Sequence, residues 1–405
     1  MQDVWIIDAA RSPRGLGRAD KGSLAGIHPQ RLLSQILSAV EQRNDLDRGQ
    51  VEHVIAGCGN LQGSQRGDIA RMAALDAGWL HTCGTTVDHF CGSSLVATMF
   101  GANSIASGLH ELVVTGGVEM MSLPEKPNLA TDQHNLHLRS MHPITSVGIS
   151  ADVIATEEGL RRTDVDSFAA ESQQRAANAI AKGYFENSIV PIKDDLGAVA
   201  LAVDEYPRPG TSMESLAELK PVFKDFMDYP MDSHHSFGEV ARMMWPELTI
   251  DHVHHAGNSS GIVDAAAAVL LASPDYARAH NLKPRARIIA SACVAGSPEY
   301  NLNEPVPSAQ KALDNAGLSS DDIDLFEVNE AFAAVPLRFM KRLQVNHDQV
   351  NVNGGAIALG HPIGATGAIL LGTLLDELER RDLQRGLVTL CAAGGLAPSM
   401  IIERL

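Results

Sequence analysis

One cysteine among small residues opens the question of chemistry. Cys91 lies in "VDHFCGSSLVATMFGANSIASG", Val87 to Gly108, after a short β-rich run and before a long uncharged one. A cysteine there either fills space, as free cysteines often do, or attacks something. At the start of a helix the unpaired backbone N–H groups and the dipole favour an anion. The thiol is therefore expected to ionise below the free value of about 8.5. Attack also needs a base, and His361 of "GGAIALGHPIGATG" opens the other uncharged run. Cys–His nucleophilic catalysis follows if the fold brings the two together. Cys391 of "LCAAGG" and Asn329 of "FEVNEAF" are further polar points. Cys391 on its own reads as an apolar core residue at a strand end or as a residue with a role the motif alone does not name. Asn329 is either a cap for a helix opening at Glu330 or a site residue.

The elements that must position these groups recur along the chain. "VWIIDAAR", "VEHVIAGCG", Thr85–Asp88 and "HELVVTGGVEMMS" read as strands, separated by "PQRLLSQILSAVEQR", "DIARMAALDAG" and the run after Cys91 as helices. The last third repeats the order with "RARIIASACVAG", "PSAQKALDNAG", "IDLFEVNEAF", "VNVNGG", the run after His361 and "RGLVTLCAAGG". Such self-similarity predicts two copies of one α/β unit, with Cys91 and His361 opening equivalent helices. The predicted organisation is an N-terminal half at 1–122, an inserted loop domain with a returning segment (about 250–279) at 123–279, and a C-terminal half at 280–405.

A net charge of −17 and no basic stripe argue against a nucleic-acid partner. The windows Phe90–Leu109 and Gln349–Leu375 are long enough for a bilayer, yet rich in Gly, Ser, Asn and Thr. They read as buried central helices, so no membrane span is expected. Five cysteines without a C-x-x-C pair, behind a start that is no signal peptide, predict free thiols and a cytoplasmic location.

In order and spacing, "DAARSPRG", "DHFCGSSLVA", "GGVEMMS", "RPGTSMESLAELKPVF", "HAGNSSGIVDAAAAV", "VNEAFA", "GGAIALGHPIGATG" and "CAAGG" make the chain resemble the thiolases. The resemblance implies two βαβαβαββ halves in a five-layer αβαβα core with an inserted loop domain, and a homodimer or homotetramer. It implies coenzyme A as co-substrate, with acyl-CoA as partner and no permanently bound cofactor or metal. Cys91 would be the nucleophile and His361 its proton acceptor. Cys391 would be the acid–base group, and Asn329 would orient a water beside His361. Backbone N–H groups of Cys91 and Ala393 would hold the oxyanion. Lys220 would meet the nucleotide phosphate, Ser260 the pantetheine arm, and Phe332 the pocket wall. The expected reaction is CoA-dependent cleavage of 3-oxoacyl-CoA, in association with other β-oxidation enzymes. Alternatives are a short-chain acetyl-CoA acetyltransferase and a non-catalytic lipid-binding relative.

Three features depart from the pattern. Ala393 replaces a usual glycine, Val147–Gly148 replaces a usual Met-Gly, and Val222–His255 is longer than the usual link. That segment carries Met243, Met244 and Trp245, expected to be buried and to extend an acyl pocket. A metal on Asp251, His252, His254 and His255 is conceivable, but adjacent histidines rarely converge on one ion. They read as polar surface residues.

Overall fold

A computed structural model describes residues 2–123 and 131–405. Within them the first half runs β1 (Trp5–Arg11), β2 (Gly15–Leu16), α1 (Pro29–Arg43), β3 (His53–Gly57), α2 (Ile69–Asp76), β4 (Cys83–Val87), α3 (Ser93–Ala106) and β5 (Leu112–Met120). The covering segment follows with α4 (Leu136–Met141), α5 (Val147–Glu158), α6 (Arg162–Ala181), β6 (Ile192–Lys193), β7 (Val199–Leu201), α7 (Met213–Ala217), α8 (Phe223–Phe226) and α9 (Phe237–Met244). The chain then returns through β8 (Val263–Ala272) and α10 (Pro274–Ala279). The second half has β9 (Ala286–Ala295), α11 (Pro305–Ala316), β10 (Leu325–Val328), α12 (Ala334–Leu343), α13 (Ala356–Leu359), α14 (Thr366–Arg381), β11 (Arg385–Thr389) and β12 (Leu396–Arg404).

The repeat is visible in the strand order. In the first half β4, β3, β5, β8 and β1 lie side by side, parallel from β4 to β5 and antiparallel from β5 to β1. In the second, β10, β11, β12 and β9 repeat that order and sense. Among the described residues a short pairing of Trp5 and Ile6 with Arg287 and Ala286 joins the two sheets. The run "VNVNGG" departs from expectation. It contributes a single bridge, Phe326 to Val350, in place of a strand. Asn351 (φ 48°) and Gly354 (φ 74°) are left-handed, and left-handed residues end an extended run.

Alternation along the strands sorts side chains into layers. On β8, Ala266, Ala268 and Leu270 join α1 and α2 in one core, while Ala265, Ala267, Val269 and Leu271 face α3 and α14 in another. On the second sheet, Phe326, Leu387 and Ile401 turn toward α11 and α12, and Leu325, Val388 and Met400 turn inward to α14. The result is helices, sheet, central helices, sheet, helices. Both uncharged windows thus supply central helices, buried between two apolar sheets. Among the described residues no helix is long and apolar enough to cross a membrane.

The central pair packs closely because small residues face each other. A Cβ on Gly367 of α14 would lie 2.6 Å from the Leu95 nitrogen of α3. Ala368 N–H donates to Ser94 Oγ across the same contact, at 3.0 Å. Overpacking a core of this density costs about 1–3 kcal/mol. Gly367→Ala is therefore expected to lower unfolding free energy by about that amount in urea titrations. Gly26→Ala, with no atom near its new methyl, is expected to stay within about 0.5 kcal/mol of the wild type. Equal stability for both variants would contradict the packing.

Candidate active site

Cys91 sits on a sharp turn between β4 and α3. Phe90 takes φ 50°, and Ser93 pins the turn: its Oγ accepts from His89 N–H at 2.8 Å and donates to Phe90 O at 2.6 Å. The sulfur of Cys91 faces two backbone N–H groups, its own and that of Ala393. Burial and the Glu119 carboxylate push this thiol up to about 12. The expectation of a thiol below 8.5 is corrected: desolvation outweighs the helix terminus. Cys91 is a neutral thiol at pH 7.

His361 lies between α13 and α14. Its N–H donates to Gly261 O at 2.8 Å, fixing the backbone. Nδ1 is 2.6 Å from Thr366 Oγ1 and Nε2 is 3.5 Å from Asn329 Nδ2. With Nδ1–H donated to Thr366, Nε2 keeps its lone pair. Burial, helped by the Arg14 cation, lowers His361 to about 4, so the ring is a neutral acceptor. Asn329 N–H donates to Thr389 O at 3.0 Å. Its Oδ1 is buried with no hydrogen-bond partner. The residue caps no helix, because α12 begins only at Ala334.

Cys391 follows β11, and its buried thiol is raised by desolvation and by the neighbouring Cys91 sulfur. The two thiols are therefore close enough to sense each other's charge. After them the left-handed positions fall on Gly394 (φ 77°) and Gly395 (φ 74°). Ala393 is not left-handed, so its methyl replaces the usual glycine without backbone strain.

Two buried carboxylates, unassigned from sequence, hold these segments. Glu119 at the end of β5 accepts from Gly59 N–H (2.8 Å), Gln65 Nε2 (2.9 Å) and, across the two halves, Gly364 N–H (2.9 Å). Glu330 accepts from Ser172 Oγ (2.7 Å), Asn351 Nδ2 (2.9 Å) and Ile357 N–H (3.1 Å), tying α6 to the segment before His361. Burial raises both carboxyls. Their partners stand tens to hundreds of residues away, so no local pattern announces them.

The residues expected to meet CoA are spread out. Ser260 N–H donates to Ala331 O at 2.9 Å, beside Phe332. Phe332 is nearly buried, edge-on to Phe223 (5.7 Å) and His254 (5.5 Å). Lys220 is exposed and edges a shallow cleft with Val222, Phe226 and Tyr229. A separate cavity of about 290 Å³ adjoins Ala256 and Gly257 and carries Arg208 and Ser215. Arg208, stacked over Tyr206, opens the run "RPGTSMESLAELKPVF", in which the resemblance gives a role only to Lys220.

The histidine cluster is corrected on one count. His254 and His255 are buried, not surface residues. His252 and His254 both bond Asp152 (2.7 and 2.8 Å), whereas His255 bonds Asp166 (2.8 Å). Those rings serve two separate carboxylates and do not converge. They fasten the segment before "GNSSG" to α5 and α6. The long segment is also only partly as expected. Phe237 and Val240 are buried with Ile149, and Trp245 packs edge-on to Tyr300 at 5.3 Å. Met243, however, is 51% exposed. It lines a cleft of about 460 Å³ with Leu136, Ser140, His234 and His235.

A duplicated α/β core with a thiol on backbone donors, a neutral histidine and a second buried thiol can chemically support acyl transfer through cysteine, the class to which the fold points. Family comparison agrees. Residues 4–226 match the thiolase N-terminal domain and residues 282–404 the thiolase C-terminal domain. The chain belongs to the thiolase family of acyltransferases. It is 38% identical to the steroid 3-ketoacyl-CoA thiolase FadA6 of Mycobacterium tuberculosis, over all of this chain and 95% of that protein. A beta-ketoadipyl-CoA thiolase of Acinetobacter baylyi is 37% identical over the whole of both. The crystal structure of the Bacillus anthracis acetyl-CoA acetyltransferase superposes with a TM-score of 0.85 at 33% identity, covering 100% of this chain and 99% of that one.

A base works while unprotonated, so its contribution is present above its pKa and lost below it. With His361 lowered to about 4, the rate of Cys91 acylation by a 3-oxoacyl-CoA should stay level from pH 8 down to about 5. Quenched-flow mass spectrometry across pH checks this. A limb centred near 6.5, the ordinary imidazole value, would contradict the neutral, buried histidine.

Proposed function

We propose that this thiolase is a 3-ketoacyl-CoA thiolase (acetyl-CoA C-acyltransferase) that cleaves bulky 3-oxoacyl-CoA thioesters with CoA. Cys91 Sγ attacks the 3-oxo carbon while its proton passes to His361 Nε2. The resulting oxyanion rests on the N–H groups of Cys91 and Ala393. Donors of this kind are worth about 2.7–4 kcal/mol each. The bond between the 2- and 3-carbons then breaks, leaving acyl-Cys91 and the enolate of acetyl-CoA. The enolate oxygen is held by the protonated His361 and by a water that Asn329 orients. Cys391 Sγ–H gives its proton to the enolate carbon and becomes a thiolate. That thiolate takes the proton of an incoming CoA thiol, whose sulfur accepts the acyl group and frees Cys91. His361 returns its proton to the departing Cys91 sulfur, and the cycle balances.

One observation carries the reading: the backbone N–H groups of Cys91 and Ala393 act on the Cys91 thiol, and Cys391 is near enough to feel its charge. The bulky substrate is supported by the cleft of about 460 Å³ where α4 meets the long segment. It is supported too by a relative named for steroid substrates at 38% identity. A short-chain acetyl-CoA acetyltransferase is the alternative, favoured by a Pseudomonas aeruginosa relative of that name, also at 38%. We read Arg208 and Ser215 as the wall for the phosphate end of CoA, with Ser260 and Phe332 along the pantetheine arm and Lys220 at the rim. The thiolase resemblance implies a homodimer or homotetramer, and β4, at one end of the sheet, offers an edge where a second copy could pair.

Cys91→Ala is expected to abolish turnover and to give no acyl adduct by intact-protein mass spectrometry. An adduct persisting on that variant overturns the nucleophile. Met243→Ser, at a half-exposed position, tests the cleft without disturbing the core. Each lost CH₂ contact is worth about 0.8 kcal/mol. kcat/KM should therefore fall about fourfold for branched or ring-bearing acyl chains and hold for acetoacetyl-CoA. An equal fall for both substrates would contradict the pocket assignment.

A further inference from the structure

The loop that carries the Ala393 donor is held from outside by one buried side chain. Asn301 is fully buried and takes φ 50°, ψ −51°, outside the left-handed helical region and close to the rare classic γ-turn, which the Leu302 N–H to Tyr300 O bond closes. Its Oδ1 accepts from Gly394 N–H at 2.9 Å. Its Nδ2 donates to Thr145 O at 3.1 Å and lies 3.2 Å from Ser150 Oγ. Thr145 Oγ1 in turn donates to Phe237 O at 2.9 Å, where α9 of the long segment begins. Ser150 Oγ donates to Glu299 O at 3.2 Å, closing the turn on itself. From the same stretch, Gly296 N–H donates to Gly395 O at 2.8 Å. A Cβ on Gly395 would stand 2.7 Å from Ser297 O. The second-cysteine loop is therefore gripped along Gly394 and Gly395 by residues 296–301, and within that grip the Asn301 side chain bonds both Gly394 and the α5 side, through Thr145 and Ser150.

We propose that Asn301 is a positioning residue for the reaction: it sets the place of the Ala393 N–H against Cys91 and ties that place to the covering segment. The proposal rests on the reading of Cys91 and Ala393 given above. The physical case is one of precision. A carboxamide with every atom used inside a buried site has one pose, and the pose is shared by two elements that meet the substrate from different sides. Displacement of a reacting group by about 1 Å costs about 100-fold in rate. Substrate affinity, made elsewhere along the CoA arm, should be spared. Among the described residues the route from the long segment to the donor loop runs Phe237, Thr145, Asn301, Gly394. It gives the cleft beside Met243 a mechanical path to the oxyanion donors.

The test uses the full-length enzyme. Asn301→Gly keeps the positive φ and removes only the carboxamide. Asn301→Asp restores an acceptor for Gly394 N–H but cannot donate to Thr145 O. Rates are normalised to folded enzyme from thermal melts, and acyl-Cys91 formation is followed by quenched-flow mass spectrometry. Asn301→Gly is expected to lower kcat and the acylation rate about 100-fold, with KM for both substrates within about threefold. Asn301→Asp is expected to recover about tenfold of that loss. Wild-type kcat in Asn301→Gly, a change in KM alone, or identical losses in the two variants would each overturn the proposal. Failure of wild-type enzyme to form acyl-Cys91 would instead sink the underlying mechanism, so the two failures are distinguishable.

Discussion

A buried carboxylate joins the two halves at the point where chemistry is possible. Glu119 ends β5 of the first half and accepts the Gly364 N–H of the second, while also holding Gly59 and Gln65. Taking a carboxylate out of water costs several kcal/mol unless its lone pairs are used, and three nitrogen donors use them here. Close backbone approach makes the clamp possible: a Cβ on Gly57 or Gly117 would lie within 2.7 Å of Gly364 O. With the halves locked there, α3 and α14 lie together and the segments of Cys91 and His361 face a common space. Gly59 marks the meeting, because an added Cβ there would stand 2.5 Å from Ile363 and 3.1 Å from Phe90 O.

The same burial decides the protonation states. Raising Cys91 from 9 to about 12 is on the order of 4 kcal/mol, whereas a helix N-terminus returns about 0.3–2 kcal/mol. The dipole loses, and the thiol rests neutral. Burial lowers His361 to about 4, so the partner rests neutral as well. A site of two uncharged partners costs less to bury than an ion pair. In the proposed mechanism it separates charge only when a substrate carbonyl supplies an oxygen for the backbone donors. Preorganised N–H groups stabilise that developing charge without reorganising.

Much of this was legible in the sequence because periodicity survives where identity does not. Alternating and uncharged runs revealed the duplicated unit, and equivalence between copies paired the Cys91 and His361 helices. "VNVNGG" misled because two left-handed residues, Asn351 and Gly354, break the strand its valines suggest. Glu119, Glu330 and Asn301 were invisible as holders, since each acts across long sequence separations. The histidines at 254 and 255 were misread for the same reason: Asp152 and Asp166 lie about a hundred residues earlier. Ala393 was readable as a departure but not as a harmless one, because only the backbone angles show that the glycine requirement falls on the next two positions.

The central claim is that the two halves supply different sulfurs for different steps, Cys91 for carbon–sulfur bonding and Cys391 for proton transfer. The direct measurement is solvent deuterium incorporation at the α-carbon of acetyl-CoA, read by NMR beside acyl-Cys91 formation by mass spectrometry in Cys391→Ala. The account predicts that Cys91 is still acylated by simple acyl-CoA thioesters while α-exchange stops. Exchange continuing at the wild-type rate in that variant would contradict it.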